Sequence, residues 1–171
     1  MAYKGLHVYL SGGMEYAQNE GKDWRLEIEN WLRKELEHKV FNPNVISDQY
    51  LRKVLHKNNF RSLKSTNIDA YIKIVKRFVI QDSKEIATRS DYVICYWDNS
   101  AQQGAGTKGE ITIAKYFMKP VYLVTQMPKA TIPGWVLGCV SEFFNSFEDL
   151  KKYLTQNYGS KSHKIKKGRI L

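Results

Sequence analysis

Short apolar runs rich in β-branched and aromatic residues alternate along this chain with longer segments of helical periodicity, and that alternation constrains the fold more than any other feature. The runs are LHVYL (Leu6 to Leu10), Val40-Phe41, DYVICYWD (Asp91 to Asp98), VYLVT (Val121 to Thr125) and a last short one between Cys139 and Phe144. Between them, Trp24, Ile28, Trp31, Leu32 and Leu36 recur at i, i+4, i+7, i+8 and i+12 within Asp23 to Glu37. Ile68, Tyr71, Ile72, Val75, Phe78 and Val79 open a second helical stretch that continues through Asp82 and Ile86 to Arg89. Parallel strands cannot be joined by a tight turn; they need a crossover, usually a helix. The expectation is a three-layer α/β/α sandwich around an open, mostly parallel sheet of five strands.

Local signals refine the boundaries. Leu6 to Leu10 should be the central first strand, ending in a turn at Ser11-Gly12-Gly13. Asn42-Pro43-Asn44 reads as a turn closing the second strand, with Ser47 capping a short helix from Asp48 to Leu55. His56 to Ser65 reads as a surface loop or lid. Ser146 caps FEDLKKYL with Asp149 at the third helical position. Trp24 and Trp31 read as core, while Arg25 either pairs with Glu29 or reaches toward the first glycine loop.

At 171 residues with 43% hydrophobic content, the chain suits one globular domain, expected over residues 1–158, followed by a basic tail over 159–171. Half of the net charge of +10 comes from Lys161, Lys164, Lys166, Lys167 and Arg169 in that tail. Such an end attracts phosphate without sequence preference, so nucleic acid is a possible but not favoured partner. Cys95 and Cys139 lie in apolar runs and fit no metal-ligand spacing, so they read as reduced core thiols of a cytoplasmic protein. No apolar stretch approaches the roughly 20 residues of a membrane span, and neither metal nor organic cofactor is implied.

The chemistry concentrates in GTKGEITIA, Gly106 to Ala114, which follows the third strand through a loop containing Gly104 and begins a helix. Ligands of open α/β sheets bind beyond the carboxyl ends of the strands, at such strand-to-helix junctions. Glu110, expected in the first helical turn, is then a candidate nucleophile in its ionised form. The same letters allow a structural reading: Thr107 and Glu110 form a capping box, with the carboxylate folded back onto its own backbone. Asp82 reads either as a second acid facing the strand ends or as a solvated helix charge.

VYLSGGM near the start, the Asp82 helix running into SDYVI, and GTKGEITIAKYFMKPVYLV together resemble the nucleoside 2-deoxyribosyltransferase family and its relatives that hydrolyse nucleoside 5′-monophosphates. The resemblance spans roughly residues 6 to 125. It implies a Rossmann-like or flavodoxin-like sheet, Glu110 as nucleophile, Tyr9 as its orienting phenol and Asp82 as the acid serving the base. It further implies a small nucleoside or nucleotide as ligand and a homo-oligomeric enzyme of nucleotide metabolism. Ser11, Gly12, Gly13, Asn44, Gly106 and Thr107 are the candidate substrate-binding positions. Gly104 stands where the transferases carry an acidic residue, with Asp98 and Ser100 as substitutes.

The reaction expected is cleavage or transfer of the N-glycosidic bond of 2′-deoxyribonucleosides through a covalent deoxyribosyl-enzyme. Two alternatives remain: an N-glycosidase acting on nucleoside 5′-monophosphates or NAD, and an inactive nucleotide- or nucleic-acid-binding module.

Overall fold

Strand β1 (His7–Gly12) pairs in parallel with β2 (Lys39–Phe41) on one side and β3 (Tyr92–Tyr96) on the other. β4 (Val121–Val124) and β5 (Glu142–Phe144) extend the sheet, also in parallel, to give the order β2-β1-β3-β4-β5. The computed structural model showing this architecture describes residues 5–55 and 60–159, so the basic tail beyond Gly159 and residues 56–59 of the expected loop lie outside the described chain. The helices are α1 (Lys22–Glu35), α2 (Pro43–Leu55), α3 (Leu63–Thr66), α4 (Ile68–Thr88), α5 (Asn99–Gln103), α6 (Gly106–Tyr116), α7 (Gly134–Cys139) and α8 (Phe147–Tyr158).

Period-two alternation sorts the strands into two cores, because successive side chains of a strand point to opposite faces. Val8, Leu10, Tyr92, Ile94, Tyr122 and Val124 pack against Ile28 and Leu32 of α1 and Leu150 and Leu154 of α8. Tyr9, Val93, Cys95, Val121 and Leu123 face the other way, against Ile86 of α4, Ile111 and Ala114 of α6, and Val136 of α7. Trp24 and Trp31 are half-buried against the first core, as expected of core aromatics. The result is a three-layer α/β/α sandwich. No described helix is long and apolar enough to cross a membrane.

Several boundaries differ from expectation, each for a local reason. β1 does not stop at Leu10: Ser11 and Gly12 remain in register with Cys95 and Tyr96 of β3. Gly12 is required there by packing, since a Cβ would sit 2.8 Å from the Trp24 ring and 3.2 Å from the Tyr96 carbonyl. Asn42-Pro43 is a helix start, not a turn: the Asn42 side chain accepts from the Asn44 N–H, and Pro43 occupies the first helical position, where its missing N–H costs nothing. Ser47 is therefore buried inside α2 instead of capping it.

Within the expected 56–65 loop, Phe60 is buried against Leu51 and Ile74, and α3 is already helical. The segment after β3 holds the short helix α5, capped by Asp98, whose side chain accepts from the Ala101 N–H at 2.9 Å. Cys139 ends α7 and precedes the last strand. Ser146 does cap α8, accepting from the Asp149 N–H at 3.1 Å.

Candidate active site

Tyr9 and Ser11 are two residues apart on β1 and so project from the same face of the sheet, the face crossed by α6. Glu110, on α6, meets both. Tyr9 Oη donates to Glu110 Oε1 at 2.9 Å, and Ser11 Oγ donates to Glu110 Oε2 at 2.5 Å. Each carboxylate oxygen thus receives one hydroxyl donor, which fixes its direction and stabilises its ionised form.

These contacts overturn the capping-box reading. The residue preceding α6 is Ala105, with no side-chain cap, and Thr107 is buried inside the helix. Glu110 is the fifth residue of α6, past the first turn where the helix dipole acts most strongly, so the hydroxyls and not the helix end hold its charge.

Asp82 comes from α4, which packs on α6, and its carboxyl feels both Glu110 and the Tyr9 phenol. Burial, followed by the neighbouring Glu110 charge, raises the Asp82 pKa to about 7, against the opposing pull of the Tyr9 hydrogen bond. Glu110 is also raised by burial, while Ser11, Tyr9 and the Arg25 guanidinium favour its anion. Burial holds the Tyr9 phenol well above its ordinary value, so it stays a donor. Two carboxyl groups thus lie within electrostatic reach of each other, the phenol donating to Glu110, and Asp82 is poised to carry a proton near neutrality.

The group opens into a cavity of about 450 Å³, within the range of small-ligand sites. Its apolar wall is Leu51, Phe60, Tyr71, Val75, Phe78 and Ile113. Phe60 stacks on Tyr71 with ring centroids 5.7 Å apart and meets Phe78 edge-on, so the wall is a packed aromatic surface. The rest of the lining includes Gly12, Gly13, Ser100, Gly104, Gly106 and Thr107, with Glu110, and Asp82 one turn beyond Phe78 on α4. The mouth is acidic, carrying Glu15, Glu20 and Asp48, and Arg61 is the sole cation among the described lining residues. Each acid at the mouth has a partner: Glu20 with Arg61 at 2.7 Å, Glu15 with Lys64 at 2.6 Å, and Asp48 with Lys22 at 3.0 Å.

Three candidate binding residues do other work. Ser11 is occupied with Glu110 and does not line the cavity. Asn44 is buried in α2 with its amide on the Glu20 carbonyl, 3.1 Å away. Asp98 caps α5 and accepts from Ser100 Oγ at 2.6 Å, so it supports a lining residue without being one. Gly13 lines the cavity, but its lack of a side chain serves Ser100, whose Oγ would lie 1.9 Å from an added Cβ.

The aromatic wall was not singled out from sequence as part of a site. Arg25 reaches the end of β1, and Glu29 instead pairs with Arg33 at 2.8 Å. Of the two courses expected for Arg25, pairing with Glu29 or reaching toward the first glycine loop, the structure shows the second, at the Gly12 carbonyl.

Fold and site together define an open, all-parallel α/β/α sandwich whose carboxylate-bearing cavity lies beyond the carboxyl end of β1. Among solved structures the chain resembles a conserved protein of Enterococcus faecalis V583, with a TM-score of 0.59 and 14% identity over 90% of this chain and 99% of that one. It also resembles the Clostridium botulinum CMP N-glycosidase BcmB, with a TM-score of 0.50 and 15% identity over 86% of this chain and 97% of that one. At such identities the likeness establishes a shared fold. No protein-family model matches the sequence, and no curated protein matches it.

Proposed function

We propose that this protein cleaves or transfers the N-glycosidic bond of a 2′-deoxyribonucleoside, with Glu110 as nucleophile and Asp82 as acid. One observation carries the reading: a carboxylate held by two hydroxyls, Tyr9 and Ser11, stands at a cavity beside a second carboxyl with a pKa of about 7. A Glu110 oxygen attacks C1′ as the bond from C1′ to the base nitrogen breaks. The bonding pair leaves with the base, and the Asp82 proton goes to a base ring nitrogen, so neither fragment departs with an uncompensated charge. The resulting deoxyribosyl ester of Glu110 is then opened by water, with Asp82 recovering a proton, or by a second base. The aromatic wall suits a planar base, since every base offers a π-face.

The charge at the mouth supports an uncharged nucleoside over a phosphorylated one, because Arg61, the sole cation lining the cavity among the described residues, is paired with Glu20. A second reading, a nucleoside 5′-monophosphate, draws support from that same arginine and from the likeness to BcmB, a CMP N-glycosidase. One experiment tests both. The protein is incubated with a panel of deoxynucleosides and their 5′-monophosphates, with and without a second free base, and the products are separated. Release of base from nucleosides, lost in Glu110→Gln, is the expected result; no release from any substrate would sink the reading.

A further inference from the structure

We infer that Arg25 is a positioning residue of this site, its guanidinium clamping the two peptide carbonyls that flank Ser11 and thereby aiming the Ser11 hydroxyl at Glu110. This rests on the proposed role of Glu110. Arg25 belongs to α1, in the layer on the opposite side of the sheet from α6, and reaches round the end of β1. Its Nε donates to the Leu10 carbonyl at 3.3 Å and its Nη2 to the Gly12 carbonyl at 2.8 Å, straddling Ser11. Ser11 in turn donates to Glu110 at 2.5 Å. With its carbonyl neighbours pinned on both sides, the Ser11 peptide cannot rotate without breaking a buried charged hydrogen bond.

The rest of the surroundings are built to hold that fork. Nη1 donates to the Glu20 and Gly21 carbonyls at 3.2 and 3.1 Å, and the guanidinium lies over the Trp24 ring at 4.6 Å. Asn19, Glu20 and Gly21 all have positive φ, at 48°, 53° and 67°, and the first two gain no glycine freedom from it. This turn is what brings two carbonyls onto one nitrogen. Gly21 is needed twice, for its φ and because a Cβ there would lie 2.7 Å from Nη1.

Arg25 is 1% exposed, and among the described residues its hydrogen-bond partners are four carbonyls and no carboxylate. A cation buried this way is costly, and four neutral acceptors satisfy its donors without cancelling its charge. That charge is left to act on its surroundings, favouring the anions of both Glu110 and Asp82, and of these Glu110 is the one the Ser11 hydroxyl holds. The groups facing Glu110 are Tyr9 and Ser11 from β1, Asp82 from α4, Cys95 from β3 and Arg25 from α1, while Asp98 faces Arg25 itself.

Arg25→Lys, which keeps the charge and loses the fork, and Arg25→Gln, which loses both, separate positioning from packing. Two readouts are taken on the full chain: steady-state kcat and KM, and the titration midpoint of the Glu110 carboxyl by ¹³C NMR, assigned with Glu110→Gln. In Arg25→Lys, kcat should fall about tenfold or more with KM within about twofold, the pattern of a misaimed nucleophile. The Glu110 midpoint should rise in Arg25→Lys as the Ser11 hydrogen bond is lost, and rise further in Arg25→Gln.

If Arg25 only packs, both variants melt earlier while kcat and the Glu110 midpoint stay at wild-type values, and the inference is overturned. Should Arg25→Gln fail to fold, the lysine variant decides by itself. Should the wild type turn over no substrate, the functional reading fails, and the NMR midpoint alone still decides whether Arg25 sets the state of Glu110.

Discussion

Tyr9 and Glu110, 101 residues apart in the chain, are joined by a 2.9 Å hydrogen bond from the phenol to one carboxylate oxygen. The bond links β1, which lies between β2 and β3 and so one place off the sheet's centre, to α6, and the expectations below turn on it and on the neighbouring Ser11 and Asp82.

Replacing Glu110 with Gln keeps the shape and removes the charge that attacks in the proposed reaction. Base release should fall below detection, while the melting temperature holds or rises because a buried carboxyl is replaced by a neutral amide. Chromatography of the products alongside thermal melts checks both.

Tyr9→Phe and Ser11→Ala each remove one of the two donors on Glu110. Each should lower kcat by about 10- to 100-fold. The double variant should lose less than the product of the two, because both donors aim the same group and their effects are coupled. Strictly multiplicative losses would show that they act on separate steps.

Asp82 gives the activity a basic limb. In the proposed reaction its proton is the one delivered to the leaving base, so kcat/KM should decline as pH rises through about 7, the value set mainly by burial. Asp82→Asn should abolish that limb and lower the rate.

The same residue makes a stability prediction of definite sign. Its folded-state pKa of about 7 lies above the ordinary aspartate value near 4, so the folded chain binds this proton more tightly than the unfolded chain does. Its contribution to stability is full below about pH 4, weakens as pH rises, and is gone above about 7. Asp82→Asn should therefore melt higher than the wild type at pH 8 and show little gain at pH 4.

Gly13→Ala probes packing behind the site. The added carbon would fall 1.9 Å from Ser100 Oγ and 2.8 Å from the Ala101 backbone nitrogen, and the backbone atom cannot rotate away. A loss of about 1–3 kcal/mol in stability is expected from denaturant titration.

The architecture was legible because each element announces itself locally. Period-two runs and period-3.6 stretches are properties of consecutive residues, and a parallel sheet follows from their alternation. The errors fell where one signal has two local meanings. Asn42-Pro43 serves a turn or a helix start equally well, and Gly12-Gly13 at the end of β1 suits a tight turn or a crowded strand. Which meaning holds depends on Trp24, Tyr96 and Ser100, which approach from elsewhere.

By itself the sequence determined the layers, the strand-to-helix junction that bears Glu110, and the resemblance that pointed to Tyr9 and Asp82. It left Glu110 undecided between a cap and a nucleophile, because Thr107 lies three residues away and satisfies the capping pattern. Only the tertiary structure removed the cap, by bringing two hydroxyls from β1 to that one side chain and a carboxyl from α4 near it; the nucleophile's role stays a proposal built on that geometry. Ser11 as a holder of Glu110 was invisible for the same reason, and for Arg25 the sequence allowed a reach toward the glycine loop without showing which carbonyls it would meet. Their partners are distant in sequence, and hydrogen bonds to peptide carbonyls leave no mark in a residue pattern.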